Sequence, residues 1–418
     1  MTQWLDPTPV DVPSSLRDAV GGHPLVAATL AHRGILTPEA AREFLDPAAY
    51  SPAAPRDLPD LDRAIKRVRQ AIKLGERITV WGDFDADGQT ATALLLEILL
   101  ALGADVSFYV PTREEGHGLH APSLERLIAN GTRLIVTCDT GVTAHAAVVS
   151  ARSLGADLII TDHHVPCDTL PPAIAVVNPH RLPPRHPLAQ LPGVGVAYEL
   201  AKALDPDLAD HALDLVALGT VADVATLCCD TRYLVQRGLE ALRRTKRPGL
   251  RAIYEAAALR PEGITEEHIG FVLGPRLNAL GRLADASHGV ELLTTADQTR
   301  ARTLATEVEG LNARRQWLTK QVTDAAQAQI DDQPALLKDH AALVLSHPTW
   351  PGGVAGIVAG RLAERYAKPA VLIAAPPGKL ARGSGRSVPG VDLIAALTDC
   401  APLLQSFGGH RGAAGFGI

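Results

Sequence analysis

Three aspartates stand in alternate positions between residues 83 and 88, which read DFDADG and follow the apolar stretch ITVWG. Carboxylates this close repel one another, and the pKa of each rises unless cations lie among them. The same pattern is also typical of helix N-caps and of calcium-type turns that contain glycine. Taken alone, Asp83, Asp85 and Asp87 leave two interpretations open, a structural turn and a metal site.

Two later segments end in residues of the same kind. One apolar run is followed by CDTG, which contains Asp139, and the next is followed by TDHH at 161–164. Because the carboxyl ends of parallel strands share one edge of a sheet, we expect these side chains to lie near the three aspartates. Carboxylates mixed with imidazoles suit Mn²⁺, with Mg²⁺ as the second choice, since oxygen ligands dominate. Zinc is disfavoured because no cysteine has ligand-like spacing.

The elements that must position these residues alternate between strand and helix. Short β-branched runs at 78–81, 105–110, 133–138, 157–161 and 174–177 are separated by helical stretches, which predicts an α/β fold with a parallel five-stranded sheet. Residues 190–295 read as mainly helical, and 296–331 has few helix breakers and predicts one long helix. Beyond it, strand and helix alternate again in a smaller α/β domain.

Composition limits the class of protein. With 46% hydrophobic and 21% charged residues among 418, the chain reads as soluble and globular, of two or three domains. A net charge of -6 means that any nucleic-acid site must be a local groove. We find no run long enough for a bilayer and no leader, so we expect a cytoplasmic protein. The five irregularly spaced cysteines predict buried thiols.

The motifs together resemble a known family. DFDADG, CDTG and TDHH resemble the successive motifs of the DHH phosphoesterase superfamily, and six further stretches resemble its RecJ-type single-strand-specific exonucleases: PTREEGHGL at 111–119, NPH at 178–180, LPGVGVAYEL at 191–200, DLVALGTVADVATL at 214–227, GPRLNALGRLADA at 274–286 and LNARRQ at 311–316. Three more resemble the associated DHHA1 domain: WPGGVAGIVAGRLAERY at 350–366, ARGSGRS at 381–387 and FGGHRGAAGF at 407–416. The resemblance covers nearly the whole chain from about residue 20.

This resemblance implies a two-lobed architecture with a cleft between the lobes. Its expected parts are an N-terminal helical extension at 1–60, a DHH domain at 61–295, a connecting helix at 296–331 and a DHHA1 domain at 332–418. It also implies two divalent metal ions. Asp85 and Asp139 would hold one, and the other would be held by Asp87, Asp139, His163 and Asp223.

The resemblance implies that Asp83 supports a ligand or a metal-bound water. His164 adjoins a ligand and has its own donor free, so we expect it to contact or polarise the scissile phosphate. The alternative is that His164 only orients a ligand. Related sites often have a histidine four residues before the position of Asp85, where this chain has Trp81. We therefore expect the first ion to be held by fewer protein ligands and more weakly.

The substrate contacts are also implied by the resemblance. Arg113, Ser384 and Arg386 match positions that grip a terminal 5′-phosphate, with the last two and His410 expected on glycine-rich turns. Three residues of GPRLNALGR would line the strand path: Arg276, Asn278 and Arg282. Aromatics are only 4% of the chain, and the candidates for base stacking are Tyr198, Trp350 and Phe416.

The implied function is a 5′-to-3′ exonuclease that degrades single-stranded DNA to 5′-mononucleotides in recombination and repair, by two-metal phosphodiester hydrolysis. A monomer, a single-strand-binding protein and a RecQ-type helicase as partners, and no membrane are the accompanying expectations. Such chains typically continue into an OB fold, whereas this sequence stops after the last DHHA1 motif. We therefore expect a catalytic core with weak, strongly salt-dependent strand binding.

Three alternatives stay open at the level of sequence. A nano-RNase or cyclic-dinucleotide phosphodiesterase shares both domains and the metals, but usually lacks PTREEGHGL and GPRLNALGR. A DHH-type pyrophosphatase would not need the long helix. A degenerate nucleic-acid-binding scaffold would have lost the ligands, which are present here. The sequence also leaves open Mn²⁺ against Mg²⁺, and DNA against RNA, since no motif reads a 2′-hydroxyl.

Overall fold

The computed structural model of the chain describes residues 7–418, so the first six residues of the predicted extension lie outside the described part. An all-parallel sheet of five strands forms the centre of the first half, in the order β2-β1-β3-β4-β5. Its strands are β1 Arg77–Trp81, β2 Val106–Tyr109, β3 Thr132–Cys138, β4 Asp157–Thr161 and β5 Ala175–Val177. The predicted fold class, with its five-stranded parallel sheet, is confirmed.

The helices of this half alternate with the strands and then follow them. Up to the last strand of the sheet they are α1 Ser14–Ala19, α2 Pro24–His32, α3 Pro38–Leu45, α4 Leu61–Leu74, α5 Ala86–Ala101, α6 Ala121–Ala129 and α7 His145–Ser153. After it come α8 Gly193–Leu204, α9 Pro206–Asp210, α10 Leu213–Ala222, α11 Cys229–Arg243, α12 Pro248–Ala256, α13 Glu266–His268, a π-helical turn Ile269–Leu273, α14 Gly274–Leu283 and α15 Ser287–Thr294. Helix α5 is buried on nearly all sides, which explains its almost unbroken apolar sequence.

The second half begins with the long helix α16, Gln298–Asp332, as the sequence predicted. It is followed by α17 Ala335–Lys338, α18 Gly352–Tyr366 and α19 Leu393–Asp399. A second sheet has the order β6-β7-β8-β10-β9, with β6 and β7 parallel and the other pairs antiparallel. Its strands are β6 Leu343–His347, β7 Ala370–Ala374, β8 Arg382–Arg386, β9 Ser406–His410 and β10 Ala413–Gly417.

The chain forms two compact units. One contains the described residues up to Leu277 together with Ala286–Ala305, and the other contains Asn278–Asp285 and Thr306–Ile418. The core of the second unit lies between α16, α18 and the sheet, where Trp350, Val358 and Leu372 are buried. The predicted domain boundaries at 60, 295 and 331 stay a prediction.

Two local expectations are wrong. Residues 382–386 form β8, which is paired on both sides, and not a glycine-rich turn. Position 383 requires a glycine because the Phe416 ring lies over it, and a Cβ there would come within 2.1 Å of the ring. The thiols are also not all buried: Cys138 is buried, whereas Cys167, Cys229 and Cys400 are exposed. No helix among residues 7–418 is long and apolar enough to cross a membrane.

A buried ion-pair network fastens α5, α10 and α12 together. The guanidinium of Arg247 donates to Asp214 at 2.9 and 3.0 Å, to Glu97 at 2.5 Å and to the carbonyl of Leu293 at 3.1 Å. Asp214 also accepts from Thr245. Because the Arg247 and Asp214 side chains are only 13% and 5% exposed, removal of the cation would leave a buried carboxylate without its counter-charge.

We therefore expect Arg247→Met to lower the free energy of unfolding by about 3–5 kcal/mol, measured by urea denaturation. Arg56→Met is the control, because the ion pair of Arg56 with Asp62 is more than 60% exposed on both sides and such pairs contribute at most about 1 kcal/mol. Equal losses in the two variants would contradict the argument from burial.

Glu199 predicts a pH dependence of stability. Glu199 is a residue of α8 and is 1% exposed. Its Oε2 has no hydrogen-bond partner in the described part of the chain. Burial raises the pKa of Glu199 from 4.5 to about 7, and the nearby Lys202 opposes the rise. The folded state thus binds a proton that the unfolded state has already released, and the chain loses stability as the pH rises through this window.

Relative to Glu199→Gln, we expect the wild-type chain to lose about 3 kcal/mol of stability between pH 4.5 and pH 8. Urea denaturation of both proteins at each pH gives this difference directly. A difference that does not change with pH would show that the carboxyl titrates alike in the folded and unfolded states.

Candidate metal centre

The DFDADG stretch turns from strand β1 into helix α5. Asp83 lies in the connecting loop, 3% exposed, and Asp85 is the N-cap of α5, where its Oδ1 accepts from the backbone N–H of Gly88 at 3.0 Å. A side chain at position 88 would come within 2.6 Å of the Asp83 carbonyl oxygen, so the glycine is required for this tight turn. The turn interpretation and the metal interpretation are therefore compatible.

Asp87 faces inward from the first turn of α5. Its Oδ2 accepts from the backbone N–H of Gly193 at 2.7 Å, and its Oδ1 accepts from that of Val194 at 2.8 Å. These N–H groups are the free donors at the N-terminus of α8, where a negative charge is favoured. The LPGVGVAYEL motif thus holds this carboxylate in place.

Asp139 follows β3 at the same edge of the sheet. Its φ of 61° is left-handed, a conformation that aspartate and asparagine tolerate better than most residues. The Oδ1 atom is buried and has no hydrogen-bond partner in the described part of the chain. His163 Nε2 lies 3.0 Å from it without hydrogen-bond geometry, and His164 Nδ1 lies at 3.9 Å. Two ligand-type atoms that converge without bonding each other fit a cation between them.

Asp162, which sequence reasoning placed at this edge without a role, positions the two histidines. It accepts from the backbone N–H groups of Val142, His163 and His164, and from Nδ1 of His164 at 2.7 Å. Burial alone would lower the pKa of His164, but the bond to Asp162 raises it to about 9. His164 is therefore cationic at neutral pH and 48% exposed, which suits contact with an anion.

The candidate ligands form three overlapping clusters. In each, one ligand atom per residue lies within 4.8 Å of the others, and the clusters are Asp83, Asp85 and Asp139; Asp139, His163 and His164; and Asp87, His163 and Asp223. Asp139 belongs to two of them, which is the arrangement expected of a bridging carboxylate. Asp223 enters as the residue that ends α10. Its Oδ2 lies 3.9 Å from Nδ1 of His163.

The electrostatics of the centre favour bound cations. Burial, followed by the neighbouring carboxylates, raises the pKa of Asp87 and of Asp139 well above the ordinary value. Burial and Asp85 raise the pKa of Asp223 to about 7. Burial lowers the pKa of His163 to about 4, so its imidazole is neutral, which is the form that binds metal. Divalent cations would relieve this crowding of negative charge, so the residues fit the expected metals.

His117, which sequence reasoning did not single out, also reaches this centre. Its Nδ1 lies 3.1 Å from Oδ1 of Asp83, and its Nε2 lies 3.3 Å from the Thr140 hydroxyl. Trp81 fixes the same loop because its indole N–H donates to the carbonyl of Gly118 at 3.3 Å. The sequence feature that could have identified His117 is its place within the PTREEGHGL motif. Trp81, at the position where related sites often have a histidine, is fully buried.

The predicted substrate residues lie near the metal centre, on α14 and in the second sheet. Arg113 is near the metal centre, since its guanidinium lies 4.5 Å above the ring of Phe84 in DFDADG. Arg276 is on α14 in the first unit and donates to the carbonyl of Val272 at 2.9 Å. Asn278 and Arg282 are on the same helix but in the second unit, where Arg282 donates to the carbonyl of Gly353 at 3.1 Å.

Ser384, Arg386 and His410 belong to the second sheet, the first two on β8 and the third at the end of β9. The guanidinium of Arg386 lies against α18, within 3.2 Å of the place where Gly356 would have a Cβ. Burial lowers the pKa of Arg386, and among residues 7–418 no carboxylate pairs with it. A bound anion would therefore stabilise the Arg386 guanidinium, which is half-buried and has no counter-charge among these residues.

Two of the three predicted stacking aromatics are wrong. Tyr198 and Trp350 are 2% and 6% exposed, because large rings stabilise a core most when they are buried. Phe416 is partly buried and packs over Gly383, and its role in stacking stays a prediction. Phe271 and Trp317 are instead exposed, at 83% and 58%.

Comparisons with known proteins agree with this architecture. The model of the DHH family, N-terminal domain, matches residues 77–220, and the model of the DHHA1 domain matches residues 339–418. The first match covers the sheet and most of the metal centre, and the second covers the mixed sheet. Together they define the class of the fold.

Among curated relatives, the single-stranded-DNA-specific exonuclease RecJ of Bacillus subtilis is 40% identical over 97% of this chain and 51% of its own length. RecJ of Salmonella typhimurium is also 40% identical, over 94% of this chain and 72% of its own. The chain belongs to the RecJ family. It spans about half the length of the Bacillus relative.

Solved structures give the same result. An exonuclease RecJ bound to manganese superposes with a TM-score of 0.77 at 36% identity, over 88% of this chain and 92% of the other. RecJ of Thermus thermophilus in complex with Mn²⁺ superposes with a TM-score of 0.82 at 33% identity, over 97% of this chain and 58% of the other. The sheet order and the sheet-edge site therefore lie within a fold already seen with manganese.

Proposed function

We propose that this protein is a divalent-metal-dependent phosphodiesterase that removes 5′-mononucleotides from the 5′ end of single-stranded DNA. One observation carries the proposal: buried carboxylates and a neutral imidazole converge at one sheet edge, in a chain of the RecJ family. The work of such an enzyme lies in DNA recombination and repair, in the cytoplasm. A monomer that meets a single-strand-binding protein and a RecQ-type helicase is part of the same proposal.

The proposed ligands are those of the sequence prediction, with Mn²⁺ preferred and Mg²⁺ as the alternative. Asp85 and Asp139 hold one ion, and the other is held by Asp87, Asp139, His163 and Asp223. When bound, such a pair of ions stabilises the charge that develops in an in-line displacement at phosphorus. The domain roles follow the predicted division, with 61–295 carrying the catalytic residues, 296–331 connecting and 332–418 gripping the strand end.

The residues of the chain then have distinct tasks. His164, held by Asp162 and protonated at neutral pH, donates from its other nitrogen to a non-bridging oxygen of the scissile phosphate. Asp83, in contact with His117, keeps the first cluster oriented. The N-terminus of α8 holds Asp87 in a fixed position. Arg276, Asn278 and Arg282 follow the strand backbone, and Arg113, Ser384, Arg386 and His410 hold its terminal phosphate.

Product analysis tests the function directly. A single-stranded oligonucleotide with a 5′-phosphate or a 5′-hydroxyl is incubated with the chain and Mn²⁺, beside a duplex and a dinucleotide. Ordered release of 5′-mononucleotides from the 5′ end of the single strand supports the proposal. Cleavage of the dinucleotide alone would assign the chain to the short-oligonucleotide phosphodiesterases, and no cleavage at all would reject catalysis.

Arg386 provides a separate prediction about strand-end recognition. Arg386→Met keeps most of the stem volume but removes the cation, so we expect kcat/KM on the 5′-phosphorylated strand to fall roughly 10–100-fold, the usual worth of a charge-assisted contact. The 5′-hydroxyl strand should lose much less, because it lacks the terminal phosphate. Arg382→Met is the control, because Arg382 lies on β8 as well. An equal loss on both strands would contradict a role in the terminal phosphate site.

A further inference from the structure

An open cavity of about 200 Å³ adjoins the metal centre within the first unit. It shares His163 and Asp223 with the centre, and its other walls come from His180, from 189–191 and from 224–226. Liquid water takes about 30 Å³ per molecule, and drug-sized ligands take about 300–1,000 Å³. The cavity therefore has room for a group larger than a few water molecules and smaller than a drug-sized ligand.

Val224, which lines this cavity, has an unusual backbone conformation. It directly follows Asp223, its φ is 58°, and it is 87% exposed. A β-branched residue in the left-handed region is strained, and an exposed valine gains nothing there from core packing. Strain of this kind is typical of sites where the surroundings fix a residue for binding or catalysis.

The NPH motif supplies another lining residue of the cavity, His180. Asn178 donates from Nδ2 to the carbonyl of His164 at 2.9 Å, and its Oδ1 accepts from the backbone N–H of His180 at 2.8 Å. One buried amide thus fixes both the candidate phosphate-contacting histidine and the exposed His180 at the cavity. The motif connects the cavity to the reacting end of the centre.

We propose that this cavity is a subsite for one nucleobase of the bound strand, next to the scissile phosphate. The inference rests on the proposed function and deepens it. The Val224 methyls and the His180 ring contact the face of the base, and every base has such a face, so the subsite accepts any sequence. A base held there orients its own phosphate at the metal centre.

The test compares a normal strand with one that has abasic residues on both sides of its first 5′ linkage. Binding is measured by fluorescence anisotropy in an Asp139→Asn background, which prevents cleavage. The parent should bind the normal strand about tenfold more tightly. Val224→Gly should lose most of this preference, chiefly by weaker binding of the normal strand, with an unchanged or higher thermal midpoint because the backbone strain is relieved.

Ala258→Gly is the matched control, since Ala258 also has a left-handed φ, of 52°, and is exposed on a turn outside the cavity walls. It should keep the full preference for the normal strand. The inference is overturned if Val224→Gly keeps that preference, if it weakens both strands alike, or if the parent shows none. A wild-type chain that cleaves no strand would overturn the proposed function and the inference with it.

Discussion

Asp139→Asn is expected to lower the rate of strand hydrolysis by roughly 10³-fold or more, equivalent to about 4 kcal/mol of transition-state stabilisation. Asp139 is the carboxylate shared by two ligand clusters, so its loss affects both metal positions. Asparagine has the same shape and tolerates the φ of 61°. The measurement is single-turnover cleavage of a 5′-phosphorylated strand, with Mn²⁺ binding followed by calorimetry.

The same variant should not be less stable without metal. In the metal-free protein, burial raises the pKa of Asp139, and repulsion from Asp87, Asp85 and Asp83 raises it further. Removing one charge from this group relieves the repulsion. We therefore expect an unchanged or higher urea midpoint in EDTA, together with fewer bound Mn²⁺ ions. Asp168→Asn, an exposed aspartate in the loop after β4, should change neither. Full activity of Asp139→Asn would reject the shared carboxylate as a ligand.

Gly193→Ala is expected to reduce the same rate by about 100-fold or more, because a misplacement of about 1 Å at a reacting centre costs a factor of this size. A Cβ at position 193 would lie 2.5 Å from the Cβ of Asp139 and 2.8 Å from its Oδ1. The Cβ of Asp139 is close to the backbone and cannot swing aside. The backbone N–H of Gly193 also holds Asp87, so both carboxylates would shift.

Gly195→Ala separates this effect from helix stability. The Cβ would meet mainly Leu191, whose Cδ2 lies 2.9 Å away at the end of a flexible side chain. Both variants place alanine in the first turn of α8, where it favours the helix over glycine. We expect near-normal single-turnover rates for Gly195→Ala and unchanged circular dichroism for both. Similar losses of activity in the two variants would show that α8 tolerates no added methyl group, and that the contact with Asp139 is not the cause.

Much of the fold and of the centre was predictable from local sequence. Strands of three to seven mostly apolar residues alternate with helices, and a fully covered parallel sheet requires this pattern. The acidic and histidine residues directly follow β1, β3 and β4, so the rule for open α/β sheets brings them to one edge. Asp223 was predictable only from the family resemblance, because nothing within its own helix distinguishes it from an ordinary terminal residue.

Contacts between distant segments were not predictable. His117 reaches Asp83, and the N–H groups of Gly193 and Val194 reach Asp87 across more than 100 residues. The glycines of β8 suggested a turn, but the Phe416 ring of a neighbouring strand explains one of them. The local sequence around a glycine does not show which distant side chain packs against it.

The sequence by itself determined the order of the elements, the sheet edge and the types of ligand at the centre. These follow from periodicity and from the chemistry of carboxylates and imidazoles, which are local properties. Only the tertiary structure decided which atoms converge. It gave Asp139 its shared position, lowered the pKa of His163, raised the pKa of His164, and buried Tyr198 and Trp350. Burial and charge proximity, which set these properties, depend on segments that meet only when the chain has folded.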